Sequence, residues 1–403
     1  MTRFIILSAA DGAGTAGAGP TGRAFPAALR LICETLSPAE WRALRRDPAT
    51  LAIARDIPTR IVAPEPLDDV RDDDAVPGWG IDAIGAGASG FSGAGVRVAV
   101  LDTGIDAGHP AFENMRLTCR DFAGTGNHDA NGHGTHCAGT LFGGEVDGVP
   151  IGVAPGISEA LIGKILADDG RGRSAMLMQG LHWAALQRAR VISLSLAFDF
   201  VGTVAELVAQ GYPELLATSV ALESHRDNLR MVETLLAALG ASPDADGGAL
   251  VVAAAGNESG RQISPEFEVS VGAPASAAGV LPVGALGRGE AGLEVATFSN
   301  TRPALSAPGV GIVSAASGGG LRTLNGTSMA CLHAAGIAAL IWEAQAAFDA
   351  PMTAEAVADR LRRSATRSGL APGNDGTMFG AGLVQAPFRK IHRAVPLHAQ
   401  GRG

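Results

Sequence analysis

The chain has 403 residues, of which 47% are hydrophobic and 18% are charged, a composition typical of a globular protein with a sizeable core. Its formal net charge of −9 provides no basic surface for neutralising phosphates, so nucleic acid is not an expected partner. The sequence has no long uninterrupted apolar stretch, and the apolar run after Arg3 is too short for a signal-peptide core. We therefore expect no membrane partner and a cytoplasmic location, with secretion by a non-standard route as the alternative.

Residues 1–70 predict a small α+β domain. An apolar run over 3–8 is typical of a strand, and residues 27–35 are predicted to form a helix. A second helix is predicted to begin after Ser37, because serine caps helix N-termini and a proline suited to the first turn follows it. A returning strand is predicted over 57–62.

A segment rich in proline and aspartate follows, over residues 64–77, and we assign 71–78 to a linker between two domains. Its aspartates lack the alternating spacing of a calcium loop. A solvated linker is therefore favoured over an acidic metal site.

The four cysteines are Cys33, Cys119, Cys137 and Cys331, and none belongs to a CxxC pair. A zinc site is therefore not expected. A chain of this length does not need disulfides to fold, so free thiols in a reducing compartment are the default interpretation.

From residue 79 to 395 the sequence alternates apolar runs with helical stretches. The predicted strands cover 95–101, 160–166, 191–196, 250–255 and 280–286, and the predicted helices include 174–189 and 204–239. Apolar strands separated by helices indicate an α/β fold with a doubly wound, mostly parallel sheet and helices on both faces. In such a sheet, catalytic groups collect at the carboxyl ends of the strands.

Two candidate residues lie at the carboxyl ends of predicted strands. Asp102 comes after Val-Ala-Val-Leu and enters a Thr-Gly turn, where an aspartate is most often a turn residue or helix cap. Asn257 follows Ala-Ala-Ala-Gly, and its side-chain amide is suited either to a turn or to donating to an oxyanion.

Two further candidates lie in glycine-containing motifs. His133 belongs to Asn-Gly-His-Gly-Thr-His, and its spacing from His136 would also suit a metal site. No HExxH pattern and no carboxylate in helical register completes such a site, so no metal is predicted there. Ser328 follows Asn-Gly-Thr and opens a long apolar helix, where a serine is usually a cap but where developing negative charge is also stabilised.

In the order Asp102, His133, Asn257 and Ser328, these segments resemble the subtilisin-like serine proteases. The resemblance extends over about residues 79–390, through segments such as Ile-Gly-Val-Ala-Pro, Phe-Ser-Asn and Ala-Pro-Gly. It implies a serine endopeptidase with Ser328 as nucleophile, His133 as general base and Asp102 as the residue that orients the imidazole. It also implies an oxyanion hole made of Asn257 and the Ser328 backbone N–H. A catalytically silent binding module on this fold and a hydrolase for other substrates are the alternatives.

A protein or peptide is the substrate that the resemblance implies. The substrate-binding residues that it places are Ser193, Leu194, Ser195, Leu196, Ala197, Ala255, Gly256 and Gly272. Ala197 stands where glycine is usual, which would narrow the cleft slightly. Gly272 implies a roomy, uncharged primary pocket that favours apolar residues, and Glu258 at its rim would tolerate basic ones.

The resemblance also bears on cofactors and on one cysteine. No cofactor is predicted, because Ala111 replaces the aspartate that follows His-Pro in the family's strong calcium site; other calcium sites stay open. Cys137 follows His133 by one helical turn, which resembles the proteinase-K-like branch and implies sensitivity to thiol reagents. A small buried residue without a role is the alternative.

Two segments depart from a minimal protease of this family. A helical insertion is predicted at about 198–247, either as a surface hairpin or as a lid or partner-binding element. The domain at 1–70 resembles the family's propeptide, an intramolecular inhibitor that is cleaved on activation. A purely structural extension is the alternative.

Overall fold

The computed structural model describes residues 2–10, 15–18, 24–26, 28–66, 76–241, 247–347, 352–373 and 375–389. Most of the linker predicted at 71–78 lies outside these residues, as does the end of the domain predicted at 79–395. The predicted division into domains therefore stays a prediction.

The N-terminal part is built on an antiparallel sheet with one helix. Its elements are β1 (Thr2–Ala9), β2 (Thr15–Ala18), β3 (Ala24–Pro26), β4 (Leu29–Leu36), α1 (Pro38–Leu44) and β5 (Thr50–Arg55). β1 lies between β4 and β5 and is antiparallel to both. Ser37 caps α1 in a reciprocal capping box with Glu40, which explains why the helix begins there.

Two sequence predictions in this part are wrong. Residues 27–35 were expected to be helical, but strand β4 runs through them because Leu29, Leu31 and Cys33 alternate and pack on one core. The strand predicted over 57–62 exists as β6 (Pro58–Ile61), but it does not return to the N-terminal sheet. It pairs instead with two strands of the following region.

The remaining strands, in chain order, are β7 (Val98–Asp102), β8 (Arg116–Asp121), β9 (Glu145–Val146), β10 (Val149–Pro150), β11 (Glu159–Lys164), β12 (Arg171–Arg173), β13 (Val191–Leu194), β14 (Leu196–Phe198), β15 (Leu250–Ala254), β16 (Val280–Gly289), β17 (Gly292–Val295), β18 (Leu305–Pro308), β19 (Ile312–Ala315) and β20 (Leu321–Leu324). The remaining helices are α2 (Trp79–Ala83), α3 (His133–Phe142), α4 (Ser174–Leu186), α5 (Phe200–Ala209), α6 (Glu214–Gly240), α7 (Thr327–Ala347), α8 (Ala354–Ser364) and α9 (Gly376–Phe379).

The central sheet is almost entirely parallel. Its order is β8-β11-β7-β13-β15-β16, with β18 also parallel to β16 and β17 antiparallel to it. The chain moves from β7 to one side of the sheet for β8 and β11, and then to the other side for β13. β7 therefore lies at the topological switch point, the usual position of a ligand crevice. The predicted α/β fold class is confirmed.

Helices cover both faces of the sheet. In β7, Val98 and Val100 belong to the core that contains α3 and α7, whereas Ala99 and Leu101 belong to the core that contains α4 and α6. Consecutive residues of a strand point to opposite faces, so the two cores lie on opposite sides. Of the described helices, α7 alone has the length and apolar character of a membrane span, but 94% of its apolar window is buried inside the protein, as in a core helix.

Helix α6 of the predicted insertion contacts the N-terminal sheet. Met231 and Leu235 of α6 belong to the same core cluster as Ile5 of β1. The amide of Asn228 donates to the carbonyl of Arg55 at 2.8 Å. The insertion is therefore more than a surface hairpin, because α6 forms part of the platform under the N-terminal domain.

Candidate active site

Asp102 and His133 form the buried centre of the site. Asp102 is the last residue of β7 and His133 is the first residue of α3, and each side chain is only 2% exposed. Asp102 Oδ1 lies 2.8 Å from His133 Nδ1 and also accepts from the Thr103 backbone N–H at 2.8 Å. The carboxylate thus engages Nδ1 and leaves Nε2 available as a base.

A buried aspartate that the sequence analysis missed fixes the start of α3. Asp129 is fully buried, and its Oδ1 accepts from the Gly132 N–H and the Thr103 hydroxyl, both at 2.8 Å. Its Oδ2 accepts from the backbone N–H and the hydroxyl of Thr135. These bonds join the turn after Asp102 to the residues on either side of His133. The Asp-Ala-Asn-Gly sequence, a typical Asx-turn composition, could have indicated this role.

Ser328 lies in the first turn of α7, and its hydroxyl faces a carbonyl from the N-terminal part of the same chain. Ser328 is fully buried, and Oγ donates to the Val62 carbonyl oxygen at 3.3 Å. The start of a helix is a favourable place for a nucleophile, because its free N–H groups and dipole stabilise negative charge.

Asn257 is oriented toward the same point. Its Oδ1 accepts from the backbone N–H of Thr327 at 3.0 Å and from its hydroxyl at 2.7 Å. Its Nδ2 consequently points into the cleft, where it donates to the Ala63 carbonyl at 2.8 Å. The amide is thus engaged by the carbonyl that follows the one facing Ser328.

Strand β6 lies between β12 and β14, in the groove that we call the cleft. It pairs antiparallel with β12 on one side and with β14 on the other. At its end, the Ile61 N–H donates to the Gly170 carbonyl at 2.8 Å and the Val62 N–H donates to the Ser195 carbonyl at 3.0 Å. Residues 58–62 are therefore held as an extended peptide, and the carbonyl of its last residue, Val62, faces the Ser328 hydroxyl.

Only some of the predicted substrate-binding residues contact this peptide through the backbone. Ser195 accepts from Val62, while Leu196 and Ala197 pair with Ile61 and Arg60. By contrast, the other two residues of this segment lie within the central sheet, where the Ser193 hydroxyl donates to the Ala99 carbonyl and the Leu194 carbonyl accepts from the Cys331 thiol.

The residues predicted beside the primary pocket lie together at the end of β15. The Gly272 N–H donates to the Ala255 carbonyl at 3.0 Å. A β-carbon on Gly272 would approach no atom closer than 3.9 Å, so this position is open. Gly256 has φ of +111°, and a β-carbon there would come within 2.3 Å of the Asn300 amide, so this position requires glycine. The contributions of these residues to substrate binding stay predictions.

The two other reactive side chains near His133 are held uncharged. His136 is fully buried and bonds the Ile312 carbonyl, and burial lowers its pKa to about 3. Cys137 Sγ lies 3.6 Å from His133 Nδ1, and burial together with the nearby Asp102 carboxylate raises the pKa of the thiol well above its ordinary value. The four cysteines are free.

Comparison with known proteins agrees with this arrangement. Residues 93–382 match the model of the subtilase family. The chain is 32% identical to alkaline elastase YaB from Bacillus sp. (strain YaB) over 365 residues, covering 89% of this chain and 79% of that protein. It is 33% identical to an intracellular serine protease from Paenibacillus polymyxa over 300 residues, covering 72% of this chain and 79% of the relative. It is 34% identical to subtilisin BL from Lederbergia lenta over 315 residues, covering 76% and 96%.

The chain belongs to the subtilase family. The family and these relatives make this subtilase a serine endopeptidase, as predicted, and favour that function over the alternative of a silent binding module. The relatives are alkaline proteases of the Bacillus type, so they support the family but not the proteinase-K-like branch. The individual roles of Asp102, His133, Ser328 and Asn257 stay predictions that the geometry is suited to perform.

Proposed function

We propose that this subtilase hydrolyses peptide bonds through Ser328, His133 and Asp102, and that its own N-terminal segment closes the cleft until it is cut. The observation that carries the proposal is the extended peptide 58–62, which pairs with both walls of the cleft and presents the Val62 carbonyl to Ser328. A protein substrate lying along the same path would present its scissile carbonyl at the same point.

The proposed chemistry assigns one role to each of these side chains. His133 Nε2 removes the hydroxyl proton as Ser328 Oγ attacks the carbonyl carbon, and Asp102, 2.8 Å from Nδ1, stabilises the imidazolium that forms. The Asn257 amide and the Ser328 backbone N–H donate to the oxyanion. His133 then protonates the leaving amine as the C–N bond breaks. In the second half, His133 takes a proton from water as the water attacks the acyl carbon, and returns that proton to Ser328 Oγ as the acyl C–O bond breaks.

We infer that the N-terminal segment lies along the path of a substrate but without the geometry that cleavage needs. Asn257 Nδ2 donates to the Ala63 carbonyl rather than to the Val62 carbonyl that faces Ser328. A shift of the backbone is needed before the oxyanion donor reaches the Val62 carbonyl, so cleavage of the uncut chain should be slow. We therefore propose that residues 1–62 act as a tethered inhibitor at high effective concentration and that the first cut falls between Val62 and Ala63.

The test compares wild type with Ser328→Ala, His133→Ala and a control, Ser219→Ala, which changes an exposed serine on α6. Both active-site variants should lose about 10⁴- to 10⁶-fold in turnover of peptide substrates, and Ser219→Ala should match wild type. Intact mass and N-terminal sequencing should find wild type cut before Ala63 and Ser328→Ala full-length. An active-site variant that keeps a tenth of wild-type activity would refute the triad.

The inhibitory role has a separate test. A synthetic peptide covering residues 55–62, which ends at the proposed cut, should inhibit processed enzyme competitively when added to it, and a scrambled peptide should not. A wild-type protein that is fully active while uncut would reduce residues 1–62 to a structural extension. A fluorophosphonate probe that fails to label Ser328 in processed protein would favour the silent binding module.

Three finer features are proposed on the same basis. The four free cysteines, together with the similarity to a relative named intracellular serine protease, support a cytoplasmic location, with non-standard secretion as the alternative. The buried methyl group of Ala111 cannot ligate calcium, so no calcium is proposed at that family site. The closeness of Cys137 to His133 supports the thiol sensitivity of the proteinase-K-like branch.

A further inference from the structure

Arg60 of the cleft-bound segment lies at a defined position relative to the proposed cut. It is the third residue before the Val62–Ala63 bond, counting Val62 as the first, and it pairs in register with Ala197 of β14. Its guanidinium Nη2 donates to Glu258 Oε1 at 2.8 Å. Glu258 directly follows the oxyanion donor Asn257 in the chain. A basic side chain at this position therefore meets a carboxylate beside the catalytic centre.

The Glu258 carboxylate is also held by a buried partner other than Arg60. Its Oε2 accepts from Asn300 Nδ2 at 2.7 Å, and Asn300 is fully buried. The Asn300 side-chain oxygen in turn accepts from the backbone N–H groups of Glu258 and Ser259, both at 3.0 Å. Asn300 thus holds both the backbone and the carboxylate of Glu258, which lowers the entropy lost when a cation binds.

The negative charge of Glu258 favours a cation at the position of Arg60, before the Val62–Ala63 bond, and disfavours an anion at the position of Glu65, after that bond. Glu65, the third residue after Val62, has its pKa raised by burial and by the negative charge of Glu258. Arg171 of β12 pairs with Arg60 across the cleft and is also cationic. The bond to Glu258 is therefore the favourable contact that offsets the repulsion between Arg60 and Arg171.

We propose that Glu258 selects protein substrates that carry a basic residue at the third position before the cleaved bond. This inference rests on the proposed function, since it assumes that substrates follow the path of residues 58–62. It differs from the expectation that Glu258 acts at the rim of the primary pocket, because the residue it contacts lies two positions before Val62.

The expected size of the preference for arginine depends on how exposed the Arg60 and Glu258 side chains are. The Arg60 side chain is 43% exposed and that of Glu258 is 33% exposed, so water and salt screen the pair. Pairs of this kind have modest strength, and we expect about a three- to tenfold preference in kcat/KM for arginine over glutamine. The preference should shrink as ionic strength rises.

Competition between peptides in one tube measures this preference. The peptides have the sequence Pro-Thr-X-Ile-Val-Ala with X as arginine, glutamine or glutamate, and wild-type protein is used in its processed form. The ratio of two cleavage rates in one mixture gives the ratio of kcat/KM values and does not depend on how much enzyme is active. Glu258→Gln tests the charge, Glu258→Arg tests its sign, and Glu355→Gln on the exposed start of α8 is the matched control.

In wild type and Glu355→Gln we expect arginine to be cleaved about three to ten times faster than glutamine, with glutamate slowest. Glu258→Gln should bring the ratio close to one, and Glu258→Arg should favour glutamate. A loss of rate that is equal for all three peptides in Glu258→Gln would indicate a structural role and overturn the proposal. Equal cleavage of the three peptides by wild type would overturn it too, whereas no cleavage of any peptide would refute the proposed function itself.

Discussion

Asp56 provides the most direct test of how the N-terminal domain is held on the enzyme. The helix α4 has no side-chain cap of its own, and Asp56 supplies one from the N-terminal domain, because its Oδ1 accepts from the Ala175 N–H at 3.0 Å. Its Oδ2 lies 3.3 Å from Arg173 Nε, and the Asp56 side chain is only 1% exposed. Replacing Asp56 by alanine removes both contacts, together with longer ones to the Ser174 hydroxyl at 3.4 Å and Arg3 Nε at 3.8 Å, while leaving the backbone bonds of β6 intact.

The expected cost can be worked from these contacts. Losing a helix cap costs about 1 kcal/mol. Leaving the half-buried Arg173 guanidinium without this partner costs about 1–2 kcal/mol more, since Glu206 still pairs with it at 2.8 Å. The sum of about 2–3 kcal/mol corresponds to a roughly 30- to 150-fold increase in the open form of the cleft. Asp56→Asn keeps an acceptor for the Ala175 N–H and should cost about fivefold.

Hydrogen exchange measures this opening directly when the chain cannot cut itself. In a Ser328→Ala background, the amides of Ile61 and Val62 should be protected by their bonds to Gly170 and Ser195. Asp56→Ala should lower that protection by the same roughly 30- to 150-fold. The amides of α8 should not change, and Asp359→Ala on α8 is the control variant. Protection of residues 61 and 62 within threefold of the parent, or an equal loss in α8, would refute the role of Asp56 as a local clamp.

Three further predictions concern the active site and its surroundings. Mercurials should inhibit the processed enzyme because Cys137 Sγ lies 3.6 Å from His133 Nδ1, and Cys137→Ala should remain active and resist them; equal sensitivity of the variant would implicate another thiol. Chelation with EDTA should shift Tm by less than about 10 °C, because Ala111 offers no carboxylate, and a larger drop would reveal a tightly bound structural ion. Burial opposes ionisation of Asp129, but hydrogen bonds from Thr135, Gly132 and Thr103 outweigh it and lower its pKa from 3.8. The ionised Asp129 carboxylate therefore stabilises the protein above its ordinary pKa, and this stabilisation is lost as pH falls through the lowered pKa. Asp129→Asn should flatten the fall of Tm with pH below about pH 4 and lower kcat about tenfold or more. A fall of Tm that is unchanged in the variant would contradict the assignment.

The sequence by itself was sufficient for five of the eight strands of the central sheet and for the residues proposed to react, but not for β8, β17 and β18. The apolar runs predicted at 160–166, 191–196, 250–255 and 280–286 contain strands of the central sheet, because strands buried on both faces have a distinctive continuous apolar composition. Asp102 could be placed at a strand end, because the strand signal stops at a turn signal there. These signals are local, and each depends on only a few neighbouring residues.

Long-range pairing was decided only by the tertiary structure. The run at 57–62 has the composition of a strand, but nothing in its sequence distinguishes a place in the N-terminal sheet from one between β12 and β14. The helix predicted at 27–35 is wrong for two reasons: the period-two alternation of Leu29, Leu31 and Cys33 favours a strand, and β4 is further stabilised by pairing with β1 over a register that joins Thr2 to Leu36.

The contacts that define the proposed specificity and clamping also join residues far apart in the chain. Arg60 meets Glu258, and Asp56 caps the helix that contains Ala175. In the sequence, each of these charged side chains is indistinguishable from an ordinary charged residue on the surface. The sequence therefore determined which elements form and which residues could react, because those depend on local periodicity and motif chemistry. The fold decided that the N-terminal segment lies in the cleft, because only three-dimensional packing brings β6, β12 and β14 to the same edge of the molecule.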